Sequence, residues 1–431
     1  MSTIINRVSF KNFFFFYGDY KKNSYTFSKG LNIIVAFRGM GKSSFFNGIL
    51  WILRDQIYDS DTLSIKSARL ESLNMLSDRA KLEEDSPECG VIIEFEDERF
   101  RYVVEKRIKF KKIVVDASTC NSKDWNISEP IIDINKTDLL TNHTTCVYDI
   151  EEQKEIISNK LIDRDIQPYA LLQGKAIYKI VDLANYTKLT NAVETQTNIK
   201  ELNEVFRSCE NIEFRLKKDL SKKTNKEGLN SKVEKRSNLS GGGISLQYTE
   251  LVDIISDATQ IFDNTKKRIY DEVLSNLEMK SNEYYRLLTE GNNVIGGTMR
   301  FEKTSYDIIE VKVINEKGDE LSGASEEFQR ITKMAVVMAI ISYKVGEKII
   351  NCPFITDEPF LPFDNIFNNN FLKIAPSVFK QSIILTAMLY DITDNMYLSE
   401  TSKIILKKIK NGKIAGTLHL NSEDDGINRL I

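Results

Sequence analysis

The chain has 431 residues, 28% of them charged and 42% apolar, with a formal net charge of −3. That is enough for two or three domains and a sizeable core, and it excludes a global basic field as the source of any nucleic-acid contact. Five scattered cysteines without a Cys-x-x-Cys pair argue against a structural zinc site or a disulfide framework, and the two histidines, His143 and His419, leave little room for His-based metal or nucleophile chemistry. No signal pattern and no run of about 18 or more apolar residues is present, so the expected location is cytoplasmic, with no membrane partner.

In chain order, residues 4–10 alternate as a strand and lead into an aromatic block, Asn12-Phe13-Phe14-Phe15-Phe16-Tyr17-Gly18. A short β-like segment, Tyr25 to Phe27, passes through Lys29-Gly30 to an apolar strand, Leu31 to Val35. Next come Ala36-Phe37-Arg38-Gly39-Met40-Gly41-Lys42-Ser43-Ser44 and a helical pattern from Phe45 to Leu53. Strand, glycine-rich loop, helix is the context a phosphate-binding loop needs. Gly39 and Gly41 let successive N–H groups curl toward phosphate oxygens, and the helix adds its positive end. Lys42 brings a charge to the β- and γ-phosphates, and Ser43 offers a hydroxyl to Mg²⁺. Ala36 stands where the usual pattern begins with Gly; a methyl group fits there only if the residue avoids positive φ. The plain alternative is a glycine turn with no ligand.

Residues 60–88 are polar and read as helix or loop, and residues 90–115 read as two or three antiparallel strands with a break near 106–107. A helix is expected at about 150–161, followed by Pro168-Tyr169-Ala170-Leu171-Leu172-Gln173-Gly174. From about 186 the texture changes. Ile199, Leu202, Phe206, Cys209, Ile212 and Leu216 recur three or four apart, as do Leu251, Ile255, Ala258, Phe262, Ile269, Val273 and Leu277. Two such seams joined near Ser240-Gly241-Gly242-Gly243 predict an antiparallel helical hairpin; a plain helical insertion is the alternative. The Ser-Gly-Gly-Gly stretch has the composition of a linker standing in for something longer.

Strand patterns return at 297–301 and 307–314, and a strongly apolar helix is expected at about 327–344. Ile349 to Glu358 reads as a buried strand ending in two carboxylates, Asp357 and Glu358, where a Walker B pair belongs: Asp357 to hold Mg²⁺, Glu358 to orient or deprotonate water. Ser382 to Thr386 is a further central strand, and Asn411-Gly412 predicts a hairpin between 403–409 and 413–420.

These motifs, in this order, resemble the ATPase head of the SMC, RecN, RecF and SbcC group of ABC-type ATPases. Leu321-Ser322-Gly323-Ala324-Ser325 through Gln329 resembles the signature motif, Asp357 to Asp364 resembles Walker B with its D-loop, and Gln173 resembles the Q-loop glutamine. The opening, with Lys11-Asn12-Phe13 and Tyr17-Gly18, is similar to DndD-like ATPases of DNA modification and phage defence. The resemblance implies an α/β fold: an ABC-type P-loop NTPase head with a mixed β-sheet, flanking helices and an antiparallel β lobe, carrying a protruding antiparallel coiled-coil hairpin. Its implied divisions are 1–185 and 293–431 for the two halves of the head and 186–292 for the hairpin.

The same resemblance implies ATP and Mg²⁺ as cofactors, with Lys42, Gln173 and Glu358 catalytic and Ser43, Gln173 and Asp357 at the metal. Arg38, Gly39, Met40, Gly41, Lys42, Ser43, Ser44, Ser322, Gly323 and Asp364 would bind nucleotide. The signature would cap the γ-phosphate of a second head, so ATP is expected between two copies in a head–head homodimer. DNA, an accessory or effector protein and a nucleoid-associated location are the further expectations. The switch histidine of the family is replaced by Ala387-Met388, which favours slow turnover, or a nucleotide-gated scaffold that controls an effector such as a nuclease. A transporter subunit is disfavoured, because two seams separate the phosphate loop from the signature. A basic cluster, Lys106, Arg107, Lys109, Lys111 and Lys112, with Lys21 and Lys22, is a candidate for phosphate contacts or equally a solvated strand edge.

Overall fold

The computed structural model describes residues 3–36, 39–59, 62, 64–114, 117, 119–164, 166–173, 199–230, 242–291, 297–303, 309–315, 317–320, 326–342, 344–345, 348–349, 352–357, 365–386, 415–420 and 427–430. The first half runs β1 (Ile4–Lys11), β2 (Ser24–Thr26), β3 (Gly30–Val35), α1 (Lys42–Arg54), β4 (Gln56–Asp59), β5 (Ser64–Ser67), α2 (Ser72–Met75) and α3 (Asp78–Glu83). It continues through β6 (Glu88–Glu96), β7 (Phe100–Lys112), β8 (Trp125–Ile127), β9 (Ile131–Asp138), β10 (Thr144–Cys146), α4 (Ile150–Glu155), α5 (Gln167–Ala170) and β11 (Leu171–Gln173). Two long helices follow, α6 (Ile199–Asn230) and α7 (Gly242–Leu288). The second half is β12 (Thr298–Lys303), β13 (Ile309–Ile314), α8 (Glu326–Ile341), β14 (Lys344–Val345), β15 (Lys348–Ile349), β16 (Phe354–Asp357), α9 (Asn365–Val378), β17 (Gln381–Thr386), β18 (Ala415–Leu420) and β19 (Ile427–Leu430).

Two sheets organise the head. The first is antiparallel, in the order β10-β9-β7-β6-β1-β2, with β8 on the end of β7. The second runs β11-β16-β17-β3-β18-β19; its four strands β11, β16, β17 and β3 are parallel, and β18 returns antiparallel to β3. β16 and β17 are buried at every residue, which is why they read as unbroken apolar runs rather than alternations. The sheet draws β3 and β11 from one half of the chain and β16 to β19 from the other, so neither half closes it alone. Helix α1 lies between the sheets and is buried along most of its length, with Phe45, Trp51 and neighbouring side chains in the core. The phenylalanines of the opening block pack there too: Phe10 stacks on Phe16, and Phe13 on Trp51.

Strand β7 is one continuous strand, not the two expected. Tyr102, Val104, Lys106, Ile108 and Phe110 all face inward, so Lys106 occupies a core position. Its Nζ donates to Trp51 O at 2.9 Å and to Asp55 Oδ1 at 2.8 Å, which satisfies the carboxyl end of α1 where Asp55 turns to φ 55°. A lysine in an apolar row is tolerated here because a helix end receives it.

The expected hairpin is α6 and α7, packed along each other. The seam on α7 differs by one residue at its start: Val252 is buried and Leu251 is half-exposed. Ile212 on α6 is likewise half-exposed. Gly242 and Gly243 lie in the first turn of α7, while residues 231–241 of the expected bend are outside the described residues. The expected partner strand 403–409 and its turn also lie outside them; β18 pairs instead with β3 and β19. Among the described residues no helix is long and apolar enough to cross a membrane.

Candidate nucleotide site

The loop after β3 starts where the sheet holds it: the Ala36 N–H donates to Thr386 O on the neighbouring strand at 3.0 Å. Ala36 is buried and is not among the residues at positive φ, so its methyl group costs no backbone strain. Gly39 and Gly41 do sit there, at φ 81° and 84°, and Gly41 caps α1. Gly41 is doubly constrained, because a Cβ on it would come within 2.7 Å of the Phe15 ring. The first turn of α1 carries no acidic side chain, so its positive end is left for an outside anion.

Lys42 is buried, and its Nζ donates to Ala36 O at 2.8 Å, folding the side chain back over the loop. Ser43 reaches across the sheet: its Oγ lies 3.4 Å from Asp357 Oδ2 and donates to it. Asp357 ends β16 and is 4% exposed. In register it neighbours Gln173 on β11 and Leu385 on β17. Lys42, Ser43 and Asp357 thus meet at the carboxyl ends of parallel strands, where open α/β sheets hold their ligands. A serine hydroxyl beside a buried carboxylate is an all-oxygen donor pair, which suits Mg²⁺.

Tyr58 was not singled out from sequence. Burial pushes its phenol up and the nearby Asp357 charge adds to that, so it stays protonated beside the carboxylate. Asn47 on α1 fixes it by a two-way bond to the Tyr58 main chain, with N···O distances of 2.9 and 2.8 Å. Nothing in the spacing of residues 47 and 58 signals that pairing.

Arg38, Ser322, Gly323, Glu358 and Asp364 lie outside the described residues, as do Ala387 and Met388; for Gln173 the backbone is described. The basic cluster is largely consumed internally, and β7 is an interior strand rather than an edge. Lys106 is buried; Arg107 sits among Glu88, Glu105 and Asp133; Lys112 lies over Trp125 and 3.8 Å from Asp85. Lys109 and Lys111 are exposed. Lys21 and Lys22 are exposed as well, with Lys22 over the Tyr17 ring, so the strand part of the cluster leaves two lysines for phosphate contacts.

No protein-family model matches the sequence, and no curated protein matches it. Solved structures do match. An Smc head domain with an extended coiled coil, from Pyrococcus furiosus and bound to the C-terminal domain of ScpA, aligns with a TM-score of 0.57 at 14% identity, covering 99% of this chain and 96% of that one. An Smc head domain with a coiled coil and joint, from Pyrococcus yayanosii, aligns with a TM-score of 0.53 at 13% identity over 91% and 94% of the two chains. The fold of this chain is that of an SMC-type head with its coiled coil.

Proposed function

We propose that the chain is an SMC-like ATPase head that binds ATP with Mg²⁺ on residues 36–44 and hydrolyses it slowly. One observation carries this reading. Ser43 and Asp357, 314 residues apart in sequence, converge to 3.4 Å at the start of a helix whose first turn carries no acidic residue of its own. In this reading Lys42 leaves Ala36 O for the β- and γ-phosphates, and the loop N–H groups and the α1 terminus hold the remaining oxygens. Ser43, Asp357 and Gln173 would hold the magnesium, which would neutralise charge on the phosphates when bound. Glu358 orients the water. Ser322 and Gly323 of a second copy close the site, Asp364 lies at that junction, and the hairpin carries the movement outward to clamp DNA in repair, chromosome maintenance or defence. By analogy with the Smc head bound to ScpA, an accessory protein attaches to the head.

The test is equilibrium ATP binding in the presence of Mg²⁺. Lys42→Ala is expected to weaken ATP by at least about tenfold, the loss of charge-assisted hydrogen bonds, with the far-UV circular dichroism of the folded protein unchanged. An unaltered affinity would remove the basis of the proposal. A second reading, a nucleotide-gated scaffold with almost no turnover, is favoured by Ala387-Met388 in the switch position. Steady-state phosphate release with and without DNA separates the two.

A further inference from the structure

One polar group beside the candidate site is left without a use. Strand β4 follows α1 and doubles back along it, packing on the helix and pairing with β5. Asn47 clamps that return. Its side chain accepts from the Tyr58 N–H at 2.8 Å and donates to the Tyr58 carbonyl at 2.9 Å. Asn47 lies one turn beyond Ser43, on the same face of α1. The helix packs on β16, whose last residue, Asp357, accepts from Ser43. Neighbouring positions of one helix face therefore reach Asp357 and Tyr58, and the phenol comes within range of the carboxylate charge.

Tyr58 is 7% exposed, yet its hydroxyl has no hydrogen-bond partner among the described residues. A buried phenol normally finds one. The nearby carboxylates do not supply it: no hydrogen bond joins Tyr58 to Asp357, and Asp59 is paired with Lys66. Packing alone would be served by phenylalanine, which fills the same volume without a hydroxyl to satisfy. Burial and the Asp357 charge push the phenol up, so it keeps its proton and its neutral oxygen can accept. A phenol and a carboxylate set apart by more than one hydrogen bond leave room for a bridging water. Mg²⁺ keeps several of its waters when it binds beside phosphates. A water on the ion gives its lone pair to the metal and turns two hydrogens outward, so two acceptors are needed to hold it. Asp357 is one, and the Tyr58 oxygen is the other.

We infer that Tyr58 is a positioning residue for the magnesium: its hydroxyl oxygen accepts from a water on the ion, and Asp357 accepts from the same water. The inference rests on the phosphate-loop reading above, and the experiment separates the two. Titrate wild type and Tyr58→Phe with ATP at stepped Mg²⁺ concentrations, then with Ca²⁺ in place of Mg²⁺, then in EDTA. In Tyr58→Phe the Mg²⁺ concentration that gives half of the gain in ATP affinity should rise about tenfold, the usual effect of losing a partner behind a metal ligand. ATP affinity in EDTA should match wild type. Ca²⁺ takes more ligands in looser geometry, so its requirement should shift by no more than about twofold. A tyrosine that only packs would move all three conditions together or none. An unchanged Mg²⁺ requirement, or an equal loss in EDTA, overturns the inference and leaves the phosphate loop standing. If wild type binds no ATP, or binds it without regard to Mg²⁺, the phosphate-loop reading itself has failed and the role of Tyr58 falls with it.

Discussion

Gln381 is a single amide that fastens two sheets together. Fully buried at the start of β17, it accepts from Ile5 N at 2.8 Å and donates to Ile5 O at 2.7 Å and Ser28 O at 3.0 Å. Its side chain therefore acts as an extra residue of strand for β1. Gln381→Ala is expected to cost about 2–4 kcal/mol in urea unfolding, because Ile5 is left with a buried donor and acceptor. A loss under about 0.5 kcal/mol would mean that water replaces the amide. Residues of this kind were not legible in the sequence: Gln381 looks like any polar residue before an apolar run, and its partner is 376 positions away. The placement of Gly41, Lys42 and Ser43 at the start of α1 was legible because it depends on neighbours in sequence, and that of Ala36 only in part, since its permissibility depended on a φ angle. Lys106 was misleading. Its charge suggested surface, and only the carboxyl end of α1 explains its burial.

Among the elements, α7 packs on α6, β12, α8 and α9. Asn282 exchanges two bonds with Met299 on β12, at 2.9 and 2.8 Å, and Glu278 accepts from the Phe301 N–H and from Arg300. The helix thus pairs with the edge of β12 through its side chains. Nearby, Tyr284 donates to Ser342 just beyond α8, Tyr285 meets Phe328 edge-on, and the Asn370 amide on α9 donates to the carbonyls of Leu288, the last residue of α7, and of Glu290 just past it. The root of the hairpin therefore touches both α8 and α9. Replacing both Glu278 and Asn282 with alanine should speed amide exchange at Met299 and Phe301 by about tenfold and leave β16 and β17 protected. Unchanged exchange would assign the edge its protection from elsewhere. The hairpin was legible from its seams. The seam on α7 was misjudged by one position at its start, because Leu251 and Val252 fit a three-four spacing equally well and only burial separates them.

At the scale of the whole molecule, the central sheet could be foreseen as α/β, but not its order. Apolar runs predict strands and leave open which is neighbour to which; β17 between β16 and β3 is decided by the packing of both chain ends together. That arrangement has a functional consequence. Asp357 and Ser43 meet within one chain, whereas α8, which continues the Ser322 segment, packs on α7 and α5. Under the proposed function the signature then serves a second copy, and each site is half supplied by its twin. Glu358→Gln, which keeps the shape but removes the base, should accumulate a dimer when ATP and Mg²⁺ are added, seen by light scattering as a doubling of mass. Ser322→Arg should stay monomeric under the same conditions while binding ATP as tightly as wild type, since the added bulk meets only the partner's nucleotide. A Glu358→Gln protein that binds ATP yet keeps its monomer mass would confine the chemistry to a single head. The hairpin would then have no closing motion to transmit.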